Sequence, residues 1–262
     1  MNSVGIKICG LTSREEVGWI LEERTEYFGI VVFYPKSRRN MSIENAGRLI
    51  DFFHREWEKK LRTGICTNEN TQGEAKPIKK ESGDTEYSRP RAVAVTVSPT
   101  IGQLKEIENA GFDLIQIHGS LTEDVFSEAV VPIIRAFNGN DKEELARCKQ
   151  SQKIAAYLFD AASPGSGKTF DWTALKEIER GDKPLFLAGG LHAGNVREAI
   201  EAVHPDVVDV SSGVEKKIDK ETESRAESGV VLETAGLSEP KRSPAGKDRE
   251  KIREFVNKVR NV

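Results

Sequence analysis

The sequence predicts an α/β fold, a (β/α)8 or TIM barrel of the phosphate-binding type. Three observations point to it: eight short apolar runs, amphipathic stretches between them, and glycine-bearing turns after the last two runs. The runs cover 5–9, 28–33, 92–97, 113–117, 132–136, 154–159, 184–188 and 206–210. Each is rich in Val and Ile and only a few residues long, as strands buried on both faces of a parallel sheet are. A doubly wound open sheet is the alternative. It would usually carry fewer strands or a glycine fingerprint after the first, and the first run here ends in Lys7-Ile8-Cys9-Gly10 without one.

The intervening stretches have helical spacing. Ile43, Ala46, Ile50, Phe53 and Trp57 share one face, as do Leu121, Val125 and Ala129, and Val196, Ile200 and Val203. Thr122, Glu123 and Asp124 load negative charge into a first turn, where the positive end of the helix favours it. Ile252, Phe255, Val256 and Val259 give the chain a final helix that can dock. Two polar stretches break the alternation, at about 62–91 and about 217–246, the second relieved only by Val230, Val231 and Leu232. They read as insertions in a single barrel spanning 1–262. The first falls between the second helix and third strand, on the stability face. The second follows the last strand, on the active-site side.

Composition narrows the function. The 262 residues carry 39 Lys+Arg against 42 Asp+Glu, a formal charge of −3, which argues against a general nucleic-acid partner. No run approaches the ~20 apolar residues of a membrane helix, and the first residues lack the pattern of a secretory signal, so a cytoplasmic protein is expected. Cys9, Cys66 and Cys148 are odd in number and unpaired in spacing, against both a disulfide framework and a zinc site.

Barrel enzymes work where their strands end, and the candidate residues cluster there. Gly189-Gly190 after the seventh run and Ser211-Ser212-Gly213 after the eighth suit a phosphate held by backbone N–H groups, with the Ser212 hydroxyl in addition. Chain-turning glycines are the plainer alternative. Gly165-Ser166-Gly167-Lys168-Thr169 is not a P-loop, because Ala162 stands where that pattern needs glycine. It reads as an active-site lid, with Lys168 available to an anion. Cys9 ends the first strand, and Lys7, two residues earlier, points the same way, so its ammonium should favour thiolate. Asp160 holds the matching place on the sixth strand, nearly across the barrel, so thiol and carboxyl form a candidate acid–base pair. His118 is either a third member or a structural hydrogen-bonding group. Arg39 is either a fork for a carboxylate or a solvated loop residue.

Six segments, in order, resemble the phosphoribosylanthranilate isomerase family of tryptophan biosynthesis. They are Lys7-Ile8-Cys9-Gly10-Leu11, Phe33-Tyr34-Pro35-Lys36-Ser37-Arg38-Arg39, Gln116-Ile117-His118-Gly119, Gly165 to Trp172, Leu187-Ala188-Gly189-Gly190-Leu191 and Asp209-Val210-Ser211-Ser212-Gly213-Val214-Glu215. The resemblance implies an Amadori rearrangement of a small phosphorylated substrate without metal or organic cofactor, in a monomer or homodimer. By it Asp160 is the general acid, Cys9 the general base and Arg39 the partner of the anthranilate carboxylate. Gly190, Ser212 and Gly213 hold the phosphate, with Lys7 and His118 beside the substrate. The family usually has Ser-Pro-Arg where this chain has Ser37-Arg38-Arg39, which leaves either arginine open as the carboxylate partner. An epimerase or an indole-glycerol-phosphate synthase is the rival enzyme, and a scaffold acting through its insertions the rival class. The epimerase should show metal ligands or paired aspartates at the strand ends, and the synthase lysine and glutamate acids.

Overall fold

The computed structural model describes residues 3–63, 88–138, 142–149, 151–160, 181–216 and 246–262. The greater part of both expected insertions, Cys66, and the 163–172 loop with Lys168 lie outside the described residues. In chain order the elements are β1 (Gly5–Cys9), α1 (Arg14–Glu23), β2 (Tyr27–Val32), β3 (Asn40–Met41), α2 (Ile43–Arg62), β4 (Arg91–Val97), α3 (Ile101–Asn109), β5 (Leu114–His118) and α4 (Glu123–Glu128). They continue with β6 (Ile133–Asn138), α5 (Lys142–Lys149), β7 (Ile154–Asp160), β8 (Leu185–Leu187), α6 (Val196–Val203), β9 (Val207–Val210) and α7 (Arg249–Arg260).

Eight parallel strands run β1-β2-β4-β5-β6-β7-β8-β9, and β9 pairs back to β1. The ring is closed, which rules out the open doubly wound sheet. All eight expected strands are present to within a residue or two at each end. The two-residue β3 is an addition. It pairs only with the end of β2, Val31 opposite Asn40 and Val32 opposite Met41, and is too short to leave a hydrophobic pattern. Residues 62 and 91, the expected limits of the first insertion, belong to α2 and β4 respectively. Among the described residues, no helix is long and apolar enough to cross a membrane.

The continuous apolar runs have a simple cause: each strand buries both faces. Outward residues such as Ile6, Ile8, Phe28 and Ile30 pack beneath Phe53 of α2 and Phe255 of α7. Inward residues, among them Val93, Val95, Leu114, Ile134, Leu158, Phe186 and Val207, fill the barrel. Because side chains alternate along a strand, Lys7 and Cys9 face inward between outward Ile6 and Ile8. Asp160 shares the inner face of β7 with Ala156 and Leu158.

The amino rim repeats one device. Glu26, just before β2, accepts the amide of Ile6 on β1 at 2.6 Å; Asp113, before β5, accepts that of Ala92 on β4 at 2.7 Å. Asp206, before β9, accepts that of Leu185 on β8 at 2.7 Å. Each acid satisfies an amide that would otherwise lack a partner at a strand's start.

The carboxyl rim is joined by Glu16 in the first turn of α1. One of its oxygens accepts the amides of Thr12 (2.6 Å) and Ser13 (3.2 Å), completing a capping box with Ser13. The other accepts the amide of Lys247 at 2.7 Å, which ties the chain entering α7 to the start of α1. Glu16→Ala should therefore cost about 2–4 kcal/mol, a lost cap plus a buried amide left without an acceptor. Urea unfolding followed by circular dichroism checks this, and a loss under about 1 kcal/mol would mean that the rim does not depend on Glu16.

Candidate active site

The inner face changes character toward the carboxyl ends of the strands. Below it is aliphatic; above it are Lys7, Cys9, Gln116, His118, Asp160 and Asp209. Lys7 is fully buried, and its ammonium donates to Asp209 Oδ2 at 2.7 Å. The two residues are direct register partners across the β1–β9 seam. The ammonium also interacts with the Cys9 sulfur. Room for this meeting comes from Gly29 on β2: a Cβ there would lie 3.0 Å from Cys9 Sγ and 3.3 Å from Lys7 Nζ.

These contacts correct one expectation. Burial opposes the charge on Lys7, but Asp209 and Cys9 hold its pKa above the ordinary value of 10.5. The same burial pushes the Cys9 thiol above 9.0; Lys7 pulls it down, as do Lys247 and Arg39, and Asp209 pushes it further up. The lysine does what the sequence implied, yet desolvation wins, so the protein without substrate holds Cys9 mainly as thiol. Lys7 itself is shut off from solvent among the described residues.

His118 ends β5. Burial, then the cations of Lys7 and Arg135, lower its pKa to about 4, so the imidazole is neutral at physiological pH. Its Nε2 lies 2.7 Å from Gln116 Nε2. It can exchange hydrogen bonds with a ligand, but it is not a charged partner. Asp160 stands half-exposed at the end of β7, three strands from β1 around the ring through β8 and β9.

Arg39 follows the turn after β2. Its aliphatic stem crosses Gly10, whose positive φ of 81° and bare Cα are both needed, since a Cβ there would overlap Arg39 Cδ. Arg39 donates through Nε to Glu215, and Arg38 donates to the other Glu215 oxygen. Lys247 is buried beside them and reaches Glu215 Oε1 at 3.3 Å and Ser211 O at 3.0 Å. Burial works against the charge on Glu215, but the Arg39 hydrogen bond and the Lys247, Arg39 and Arg38 charges bring its pKa below the usual carboxylate value.

The loops after β8 and β9 touch. Gly189 and Gly190 both have positive φ, 91° and 67°, which glycine adopts without strain. Asn195 braces the turn, donating to Gly190 O at 3.0 Å and accepting from the His192 amide at 2.8 Å. Ser212–Val214 form one 3-10 turn, and a Cβ on Gly213 would overlap the carbonyl oxygen of Leu191. The structure thus brings Cys9, Lys7, His118, Asp160, Arg39, Gly190, Ser212 and Gly213 to one rim. Asp209, Gln116, Glu215, Lys247 and Gly29 also build it, and the sequence reading gave none of them a role. Opposite charges at inward places on the two strands that close the ring would have signalled Asp209. Lys247 has no local signal, because its partners are 32 and 36 residues away.

Residues 54–224 match the model of a known family, N-(5'-phosphoribosyl)anthranilate (PRA) isomerase. The chain belongs to this family. A phosphoribosylanthranilate isomerase from Streptococcus gordonii is 33% identical over 257 residues, spanning 98% of this chain and 97% of that protein. The crystal structure of a phosphoribosylanthranilate isomerase from Thermotoga maritima superimposes with a TM-score of 0.65 at 24% identity, covering 99% of this chain and 100% of that one. Another, in complex with reduced 1-(o-carboxyphenylamino)-1-deoxyribulose 5-phosphate, gives a TM-score of 0.63 at 23% identity, with 99% and 100% covered.

Two outcomes are expected of this rim. Cys9 should be alkylated by iodoacetamide at a rate that still rises at pH 9.0, because a raised pKa keeps the thiolate scarce below it. Peptide mass spectrometry resolves Cys9 from the other cysteines, and a midpoint below about 8 would contradict the burial argument. Gly213→Ala should weaken binding of a phosphorylated product analogue at least about tenfold, since the loops cannot approach without a backbone shift. Unchanged affinity by calorimetry would mean that ligand binding does not depend on the close approach of these loops.

Proposed function

We propose that Cys9 and Asp160 divide the proton transfers of the family's reaction, Cys9 as base and Asp160 as acid. The chain is an isomerase of tryptophan biosynthesis, converting N-(5'-phosphoribosyl)anthranilate to 1-(2-carboxyphenylamino)-1-deoxyribulose 5-phosphate. This Amadori rearrangement moves hydrogens and electrons within one molecule. Asp160 protonates the ribose ring oxygen as the C1–O bond breaks and the anthranilate nitrogen becomes an iminium. Cys9 removes the proton from C2, whose electrons form an enolamine, and tautomerisation gives the ketone.

The observation that carries this reading is the placement of Cys9: a partly buried residue at the carboxyl end of β1, facing inward beside Lys7 and one strand from the β9 loop. Its raised pKa suits the step. A thiolate of higher pKa is a stronger base, and the iminium beside C2 both acidifies that proton and favours the thiolate. In the same reading Arg39 faces the aromatic carboxylate and His118 hydrogen-bonds the sugar as a neutral ring. Gly190, Ser212 and Gly213 hold the phosphate, and Lys7 acts through Cys9.

We read the chain as one barrel with insertions at about 62–91 and 217–246. Supporting this, the two ends of the second are joined: Lys216 donates to Gly246 O at 3.0 Å and Asp248 to Val214 O at 2.8 Å.

Loss of substrate fluorescence follows turnover directly. Cys9→Ser should lower kcat at least ~10²-fold, the usual scale for a general base, and near-normal turnover would remove Cys9 from the mechanism. Asp160→Asn should fall comparably yet still bind the reduced product analogue. Loss of that binding would make Asp160 a binding group instead.

A further inference from the structure

We propose that Glu215 is a positioning residue for substrate selection: it grips Arg39 by Nε and thereby presents the opposite edge of the guanidinium to the substrate's aromatic carboxylate. This rests on the reading above that Arg39 meets that carboxylate, and it adds how the arginine is aimed.

A guanidinium offers N–H groups on more than one edge, and a carboxylate is best bound by two of them in parallel. Glu215 occupies the Nε edge of Arg39. Among the described residues, the Arg39 side chain makes no other hydrogen bond, and it is 15% exposed. The fork of its two terminal nitrogens is therefore not engaged by any described residue. Arg38 differs: it meets Glu215 through a terminal nitrogen and is 43% exposed, so its own fork is already engaged. This chain has two adjacent arginines, and the geometry chooses the second.

The aim is fixed on three sides. The stem of Arg39 lies across Gly10, next to Cys9. Its backbone amide donates to Ser37 Oγ at 3.2 Å. Glu215 is itself held by Lys247, whose ammonium also reaches Ser211 Oγ at 3.2 Å; that hydroxyl donates to the carbonyl oxygen of Cys9 at 2.9 Å. A continuous chain of charged and polar contacts thus links the carboxylate fork to the backbone of the base. It sets the spacing between the aromatic acid and the sugar C2. A merely structural ion cluster would stabilise the rim, but it would not discriminate between ligands with and without the carboxylate.

The test measures dissociation constants for reduced 1-(o-carboxyphenylamino)-1-deoxyribulose 5-phosphate and for the same compound lacking its ring carboxylate. The full-length protein should prefer the carboxylated ligand at least about tenfold, the scale of a charge-assisted pair. Glu215→Gln should shrink this preference to within about threefold through weaker binding of the carboxylated ligand alone. Arg39→Lys should do the same, because one ammonium cannot serve Glu215 and the ligand as a fork does. Should Glu215→Gln fail to fold, Glu215→Gln with Lys247→Met, which removes the buried ammonium together with its counter-charge, is read in its place. Full preference retained in a Glu215 variant or in Arg39→Lys, with loss in Arg39→Ala, overturns the positioning role and leaves the reading of Arg39 intact. Full preference retained in Arg39→Ala overturns that reading itself.

Discussion

A buried ion pair lies on the seam that closes the barrel. Lys7 and Asp209 are opposite one another in the β1–β9 register, so the bond between them and the closure of the ring are one event. Burying two charges costs several kcal/mol per ion, recovered only by close geometry and full hydrogen bonding. Here recovery is incomplete, since Asp209 Oδ1 has no hydrogen-bond partner among the described residues. An aliphatic pair of similar volume would stabilise the seam at least as well. The polar pair therefore makes sense through what it sits under, the sulfur of Cys9. The Val, Leu and Ala packing below and the two-sided burial of every strand carry the stability that this layer gives away.

Two groups of cations approach the same thiol, Lys7 from below and Arg39 with Lys247 from the rim, yet its pKa goes up. Burial explains the sign: the cations are largely answered by carboxylates, Asp209 and Glu215, and the field left over is smaller than the cost of placing a thiolate there. The site is thus polarised without being permanently ionised. It gains most from positive charge at the moment that a bound sugar supplies it, which is where transition-state stabilisation counts.

Much of this was legible in the sequence. Buried parallel strands announce themselves as Val- and Ile-rich runs, and all eight lie where those runs lie. Strand-end position then brought Cys9, Asp160, His118, Arg39 and the two glycine turns to one rim. Long-range partnership was not legible. Glu215 appeared only as the last letter of a motif, and Lys247 closes a polar stretch that resembles surface, although its side chain is among the most buried in the protein. Glu16 had the spacing of an ordinary capping residue, with no hint of a second bond to a segment 231 residues later. The balance at Cys9 was misjudged for a related reason: a lysine two residues away is visible in the sequence, while desolvation arises only from the assembled surroundings. The two-residue β3 was missed because nothing so short has a period.

The seam also constrains how the molecule can be born. The carboxylate that Lys7 needs lies 202 positions downstream, so a nascent chain emerging from the ribosome holds its first stave without the last until β9 has been made. Until then β1 exposes an ammonium and a reactive sulfur, and its outward isoleucines await a terminal helix not yet translated. Contacts of such sequence separation close slowly. A chain truncated before α7 would therefore leave the outward isoleucines of β1 without the helix that covers them.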